Sequence, residues 1–149
     1  MRSRSVRWIA SLVVVVLLLP GCGDTDNAEA EVLSTVEGAT AAVNAYDTEA
    51  FREYVTDDYT WQSTGPVTNL DEYVAYVSAN YRRLGFHVEA TGDPVVRLDG
   101  EEYVVEQQDV ATAAGLELVG TTVHRLVEVD GAWLIREARW VEEAADSTE

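Results

Sequence analysis

The chain has 149 residues, 47% of them hydrophobic, with ten basic side chains against 27 acidic ones and a formal charge of −17. That length holds one ordinary domain, and the apolar content excludes a disordered chain. An isoelectric point near 4.2 excludes nucleic acid as a partner and disfavours docking on anionic lipid by charge, and a single cysteine excludes an internal disulfide framework.

The N-terminus differs from everything after it. Arg2, Arg4 and Arg7 precede an apolar run from Trp8 to Leu19. A membrane span needs about twenty apolar residues, so this shorter run reads as the core of a signal peptide, residues 1–21. Leu19-Pro20-Gly21-Cys22 resembles a bacterial lipobox, with Pro20 standing where a small or β-branched residue is usual. The resemblance implies cleavage before Cys22, a lipid thioether on that cysteine, and attachment through it to a membrane of the bacterial cell envelope, outside the cytoplasm. Cleavage there leaves seven arginines against all 27 acids, a side-chain charge of −20. Residues 22–30 are polar and read as a flexible tether. The folded domain is expected over 31–142, with a polar tail at 143–149.

Val32, Val36, Ala39, Val43 and Tyr46 recur at the spacing of a helix with one buried face. Asp47 then reads as the N-cap of a short second helix that turns Phe51, Tyr54 and Val55 inward. Thr56-Asp57-Asp58 ends it, and a strand is expected over Tyr59 to Trp61. Asn69 and Glu72 form a capping-box pattern ahead of a third helix bearing Leu70, Tyr73, Val74, Val77, Tyr81 and Leu84, closed by Gly85. From there the period becomes strand-like. The first strand covers 86–98, with a break near Gly92-Asp93-Pro94. An Asp99-Gly100 turn leads to a second strand over 102–112. The third strand covers 117–129, and an Asp130-Gly131 turn leads to the fourth over 132–141. Helices followed by a meander give an α+β class.

The segment AVNAYDTEAFREYVTDDYTW, from Ala42 to Trp61, resembles the opening of nuclear transport factor 2-like domains of the SnoaL-like and ketosteroid-isomerase-like type. VDGAWLIREARW, from Val129 to Trp140, resembles their closing hairpin. The similarity spans residues 31 to 141. It implies three N-terminal helices packed in a curved mixed or antiparallel sheet, a cone-shaped α+β barrel with a pocket at its open end. It implies little about function, since the superfamily contains isomerases, cyclases, dehydratases and non-enzymes. Sheets of this fold commonly pair as dimers, so the resemblance also implies a homodimer through the sheet face, with Val123, Val127, Leu134 and Trp140 as candidate contacts.

Pairing Val129 with Ala132 sets Leu126 opposite Ile135, His124 opposite Glu137 and Thr122 opposite Arg139 on one face. The other face then opposes Arg125 to Arg136, which suits solvent or a partner. His124, Glu137 and Arg139 are therefore expected to point inward. Pairing across Asp99-Gly100 sets Arg97 opposite Glu102 and Val96 opposite Tyr103, and places Tyr103, Val105, Gln107 and Asp109 on the inner face of their strand. His124, Asp109 and Glu137 form a candidate catalytic set for proton transfer at neutral pH. The same groups also read as a satisfied polar cluster at the wide end of the cone. Tyr46, Trp61, Tyr103, Gln107, Trp133 and Arg139 are candidate pocket-lining residues, with Trp140 assigned to the outer face. Asp57 and Asp58 are read as capping or exposed residues. His87 and His124 show no metal-ligand spacing, and no phosphate loop or nucleophile motif occurs, so no metal or cofactor is expected.

Two functions follow. One is binding of a small apolar ligand or protein partner without catalysis, by a lipid-anchored domain. The other is a cofactor-independent acid–base enzyme of isomerase, cyclase or dehydratase type. A hollow cone on which the three ionisable groups converge favours the enzyme, and a filled cone favours binding.

Overall fold

The computed structural model describes residues 23–143. The expected signal peptide, Cys22 and residues 144–149 of the expected tail lie outside the described residues. Helix α1 (Gly23–Asn44) begins well before Glu31, so residues 23–30 are its first two turns and not a tether. Ala28 packs against the core, and the Asn27 side-chain amide donates to Glu31 at 2.8 Å. A polar stretch was the expected signal for a linker, but the solvent face of a helix is equally polar. Further along, Val32, Val36, Ala39 and Val43 are buried.

The helix ends in a Schellman turn. The Asp47 N–H donates to the Ala42 carbonyl at 2.9 Å and the Tyr46 N–H to Val43 at 3.0 Å, with Tyr46 itself left-handed at φ 57°. Asp47 then accepts from the Ala50 N–H and caps α2 (Thr48–Arg52). Strand β1 (Val55–Gln62) starts four residues before Tyr59, where a strand was expected. Its register is irregular between Val55 and Thr60, and Asp57 and Asp58 are exposed there. After β2 (Thr68–Asn69) comes α3 (Leu70–Tyr76), whose capping box joins Asn69 and Glu72 in both directions. The helix continues through a π-helical turn (Val77–Tyr81) into α4 (Arg82–Leu84) and stops at left-handed Gly85.

Strands β3 (His87–Ala90) and β4 (Val95–Asp99) both pair with β5 (Glu102–Ala113), which is followed by β6 (Leu116–Val129) and β7 (Ala132–Glu142). The seven-stranded sheet runs β2-β1-β7-β6-β5-β3, with β4 also on β5. Only β1 and β7 are parallel, so the sheet is mixed and curves around α1. This is the cone-shaped α+β architecture expected of the sequence.

Two registers differ from expectation. Across β4 and β5, Asp99 pairs with Glu102 and Leu98 with Tyr103, so the turn is Gly100-Glu101. That displacement is two residues, and it leaves every side chain on its expected face. Between β6 and β7 the consequence is larger. Pairs Val129–Ala132 to Leu126–Ile135 hold, then a bulge intervenes, and Arg125 pairs with Glu137, His124 with Ala138 and Val123 with Arg139. The extra residue is Arg136. One inserted residue exchanges the two faces of everything after it, so Glu137 and Arg139 turn outward while Ala138 and Trp140 turn inward.

The outer face around the bulge is ionic. Glu102 pairs with both Arg125 and Arg136, Arg125 also reaches Asp99 at 3.2 Å, and Arg97 reaches Glu106 at 3.5 Å. The two arginines expected to oppose one another thus share one carboxylate. Val104 lies fully buried on this face. The narrow end of the cone is filled by Val32, Val105, Leu126 and Ile135, with Tyr103 edge-on to Trp133 at 5.0 Å between ring centroids.

Candidate functional site

The wide half of the cone is hollow. A cavity of about 510 Å³ lies between α1, the α3 helix and the inner face of β5, β6 and β7. Its walls are chiefly aromatic: Phe51, Tyr59, Trp61, Tyr73, Tyr81 and Trp140. Exposed Ser63, Gly65, Pro66, Tyr76 and Leu118 form its rim. The rings pack on one another, with Tyr73 5.3 Å from Phe51, 5.5 Å from Trp61 and 5.8 Å from Tyr59 between centroids. The π-helical turn carries Tyr81, which stacks on Phe86 at 3.9 Å. Burial raises the phenol pKa of Tyr59 and Tyr73, and pushes that of Tyr81 up to about 12. All three are neutral hydroxyls at physiological pH.

The polar part of the wall is built on the two central strands. Asp109 on β5 is 6% exposed, and His124 and Thr122 on β6 are 8% and 7% exposed. The Thr122 hydroxyl donates to Asp109 Oδ2 at 2.5 Å. Burial raises the Asp109 pKa, and the Thr122 hydrogen bond opposes that shift without cancelling it. Burial alone lowers His124 to about 4, which keeps its imidazole neutral at pH 7. Its Nδ1 is buried and has no hydrogen-bond partner among the described residues.

Trp140 enters the cavity wall because Gly120, its neighbour across the strands, has no side chain. A Cβ at Gly120 would lie 2.5 Å from the Trp140 ring and 2.6 Å from the Val141 carbonyl oxygen. Only glycine permits that approach.

Of the residues singled out in the sequence, His124, Asp109 and Trp61 line this cavity. Glu137 does not join them: it opposes Arg125 on the outer face, beyond the bulge. Arg139 is exposed on that same face. Gln107 donates instead to the carbonyls of Gly92 and Gln108, at 2.8 and 3.0 Å, and holds the β3–β4 loop. Tyr46 sits beyond the end of α1, where its hydroxyl donates to the Phe86 carbonyl at 3.0 Å and Arg82 lies over its ring. Tyr103 and Trp133 pack in the narrow end. Trp140 lines the cavity and not the outer face expected from hairpin counting, because that counting contains no bulge. Thr122 was placed on the inner face but not linked to Asp109, and a glycine in mid-strand at 120 was the available signal for the close approach. Among the described residues, no group of three His, Cys, Asp or Glu is placed to hold a metal ion.

The family described as the SnoaL-like domain matches residues 24–139. No curated protein matches significantly. Solved structures share the fold. A protein of unknown function from Mycobacterium tuberculosis is 24% identical with a TM-score of 0.72, over 85% of this chain and 79% of that one. A Kribbella flavida protein is 17% identical with a TM-score of 0.71, over 83% and 96%. A nuclear transport factor 2-like superfamily protein from Salmonella enterica is 12% identical with a TM-score of 0.72, over 83% and 96%.

Proposed function

The chain belongs to the SnoaL-like domain family of the nuclear transport factor 2-like superfamily, and on that premise we propose that it is an envelope lipoprotein whose domain binds a small, largely apolar ligand without converting it. The observation that carries this reading is the aromatic cavity of about 510 Å³, a size and lining typical of small-molecule sites. The expected catalytic set supports catalysis less well. Glu137 is on the far side of the sheet, and a histidine lowered to about 4 is a weak base. The lipobox-like Cys22 supports anchoring at the envelope.

Binding is tested through the tryptophans of the wall, Trp61 and Trp140. An aromatic alcohol such as 1-naphthylmethanol is expected to change their fluorescence saturably. Ala111→Phe, which puts a ring into the cavity from β5, is expected to abolish the change while leaving the thermal transition in place. Unchanged binding to that variant would reject the cavity as the site. Anchoring is tested by metabolic fatty-acid labelling, with the label expected to vanish in Cys22→Ala.

One observation favours the second reading, a cofactor-independent acid–base enzyme. Asp109 is a buried carboxylate with a raised pKa on the same cavity wall as a neutral imidazole, and such a group abstracts protons near neutral pH more readily than an ordinary aspartate. A bound ligand recovered chemically unchanged, with no solvent deuterium incorporated, is the outcome expected of a binding protein. Deuterium uptake that disappears in Asp109→Asn would establish the enzyme instead.

A further inference from the structure

We propose that the cavity selects lipophilic amines, holding the protonated nitrogen against Asp109 and the apolar body among the aromatic rings. This rests on the reading of the cavity as a ligand site and names the ligand's chemical class.

The first argument is the sign of the charges present. The ionisable groups that line the cavity are Asp109, Glu72, His124 and tyrosines, and no arginine is among the lining residues. The sequence contains no lysine at all. Six of the domain's seven arginines are committed elsewhere: Arg52 to Asp71, Arg97, Arg125 and Arg136 to acids of the outer face, Arg82 to the Tyr46 ring and Arg83 to Asn80; the seventh, Arg139, is exposed on the outer face. A carboxylate or phosphate entering an apolar enclosure without a cation to meet it would lose its hydration uncompensated. An ammonium group meets a carboxylate already there.

The second argument is hydrogen bonding. Thr122 occupies Asp109 Oδ2, and Oδ1 has no hydrogen-bond partner among the described residues. His124 is more than nine-tenths buried, lines the cavity, and leaves Nδ1 without a partner. As a neutral imidazole it offers one ring nitrogen as an acceptor. Thr122 stands between the two groups: it is bonded to Asp109, which pairs with Gly120, and it lies two residues from His124 on β6. A protonated amine brings N–H donors to the carboxylate oxygen that Thr122 leaves free, with the neutral imidazole further along the same wall.

The third argument is the surrounding surface. Trp61, Tyr59, Tyr73 and Trp140 line the same space, and aromatic faces attract cations, most strongly where water is excluded. Beyond the cavity, a formal charge of −17 raises the local concentration of cations and repels anions.

The test uses three probes with one ring system: 1-naphthylmethylamine, 1-naphthylmethanol and 1-naphthoic acid, which are cationic, neutral and anionic at pH 7.5. Affinities are measured by calorimetry. The amine is expected to bind at least tenfold more tightly than the alcohol, and the acid to show no saturable binding. Asp109→Asn keeps an acceptor for Thr122, so it is expected to erase the amine's advantage over the alcohol. Amine and alcohol of equal affinity, an acid that binds as tightly as the amine, or an advantage that survives in Asp109→Asn would each overturn the proposal while leaving the ligand site standing. Failure of all three probes to bind would overturn the ligand site and this proposal together.

Discussion

His124 and Asp109 sit on one wall of the cavity and respond to burial in opposite senses. The histidine falls from 6.5 to about 4, so between those values the unfolded chain holds a proton that the native state refuses. Its contribution to stability is complete above pH 6.5 and is lost as pH falls towards 4, a span worth about 3 kcal/mol. The Asp109 pKa is raised above 3.8; here the native state holds the proton more readily, and stability is lost as pH rises through its folded value. Two variants separate these effects in urea titrations. His124→Gln is expected to flatten the loss of stability between pH 6.5 and 4. Asp109→Asn removes a buried charge at pH 7 and is expected to raise Tm by a few degrees there, with no gain at pH 3. A His124→Gln protein as acid-sensitive as the parent would show that other groups govern the acid limb.

At the scale of elements, the bulge at Arg136 decides which residues the cavity contains. Up to Leu126–Ile135 the pairing follows from turn chemistry, and counting from Asp130-Gly131 reproduces it. Nothing in the local pattern marks the insertion, because Arg136, Glu137 and Arg139 are polar on either face and Ala138 is small enough for both. What fixes the bulge is the rest of the fold. It buries Ala138 and Ile135 together and gives Arg136 the Glu102 carboxylate. Helix starts, caps and turns were legible for the opposite reason: Asp47, Asn69 with Glu72, and Gly85 each act through neighbours in sequence. The clamp of Asn44 on Val88, through hydrogen bonds of 2.8 and 2.9 Å, joins residues 44 apart and had no local signature. Deleting Arg136 makes Glu137 the direct successor of Ile135 opposite Arg125, so Glu137 and Arg139 stay outward and Ala138 and Trp140 stay inward. The deletion removes only the bulge and the Arg136–Glu102 ion pair, so the variant is expected to keep native near-ultraviolet circular dichroism and to lose about 1 kcal/mol of stability with the ion pair. A deletion variant that is unfolded or molten would contradict the assigned register.

At the scale of the molecule, charge and the proposed anchor act against each other. If the chain is cleaved before Cys22, it carries a side-chain charge of −20, and α1 begins at Gly23, so the acidic domain starts one residue after the proposed site of lipidation. Anionic headgroups would then repel the domain that a lipid on Cys22 holds beside them. The repulsion depends on salt: its range is about 30 Å at 0.01 M ionic strength and about 8 Å at 0.15 M. The acyl chains act through buried CH₂ groups at about 0.8 kcal/mol each and are indifferent to salt. Lipidated protein is expected to stay on vesicles containing anionic lipid across that range, with the domain's outer surface more accessible to protease at the lower salt. The unlipidated chain beginning at residue 22, with Cys22→Ala, is expected to remain free of the same vesicles at both salts. Vesicle binding by that chain at low ionic strength would mean that a patch of the domain attracts anionic lipid in spite of the net charge. The anchor would then be reinforcing an attachment the domain makes for itself.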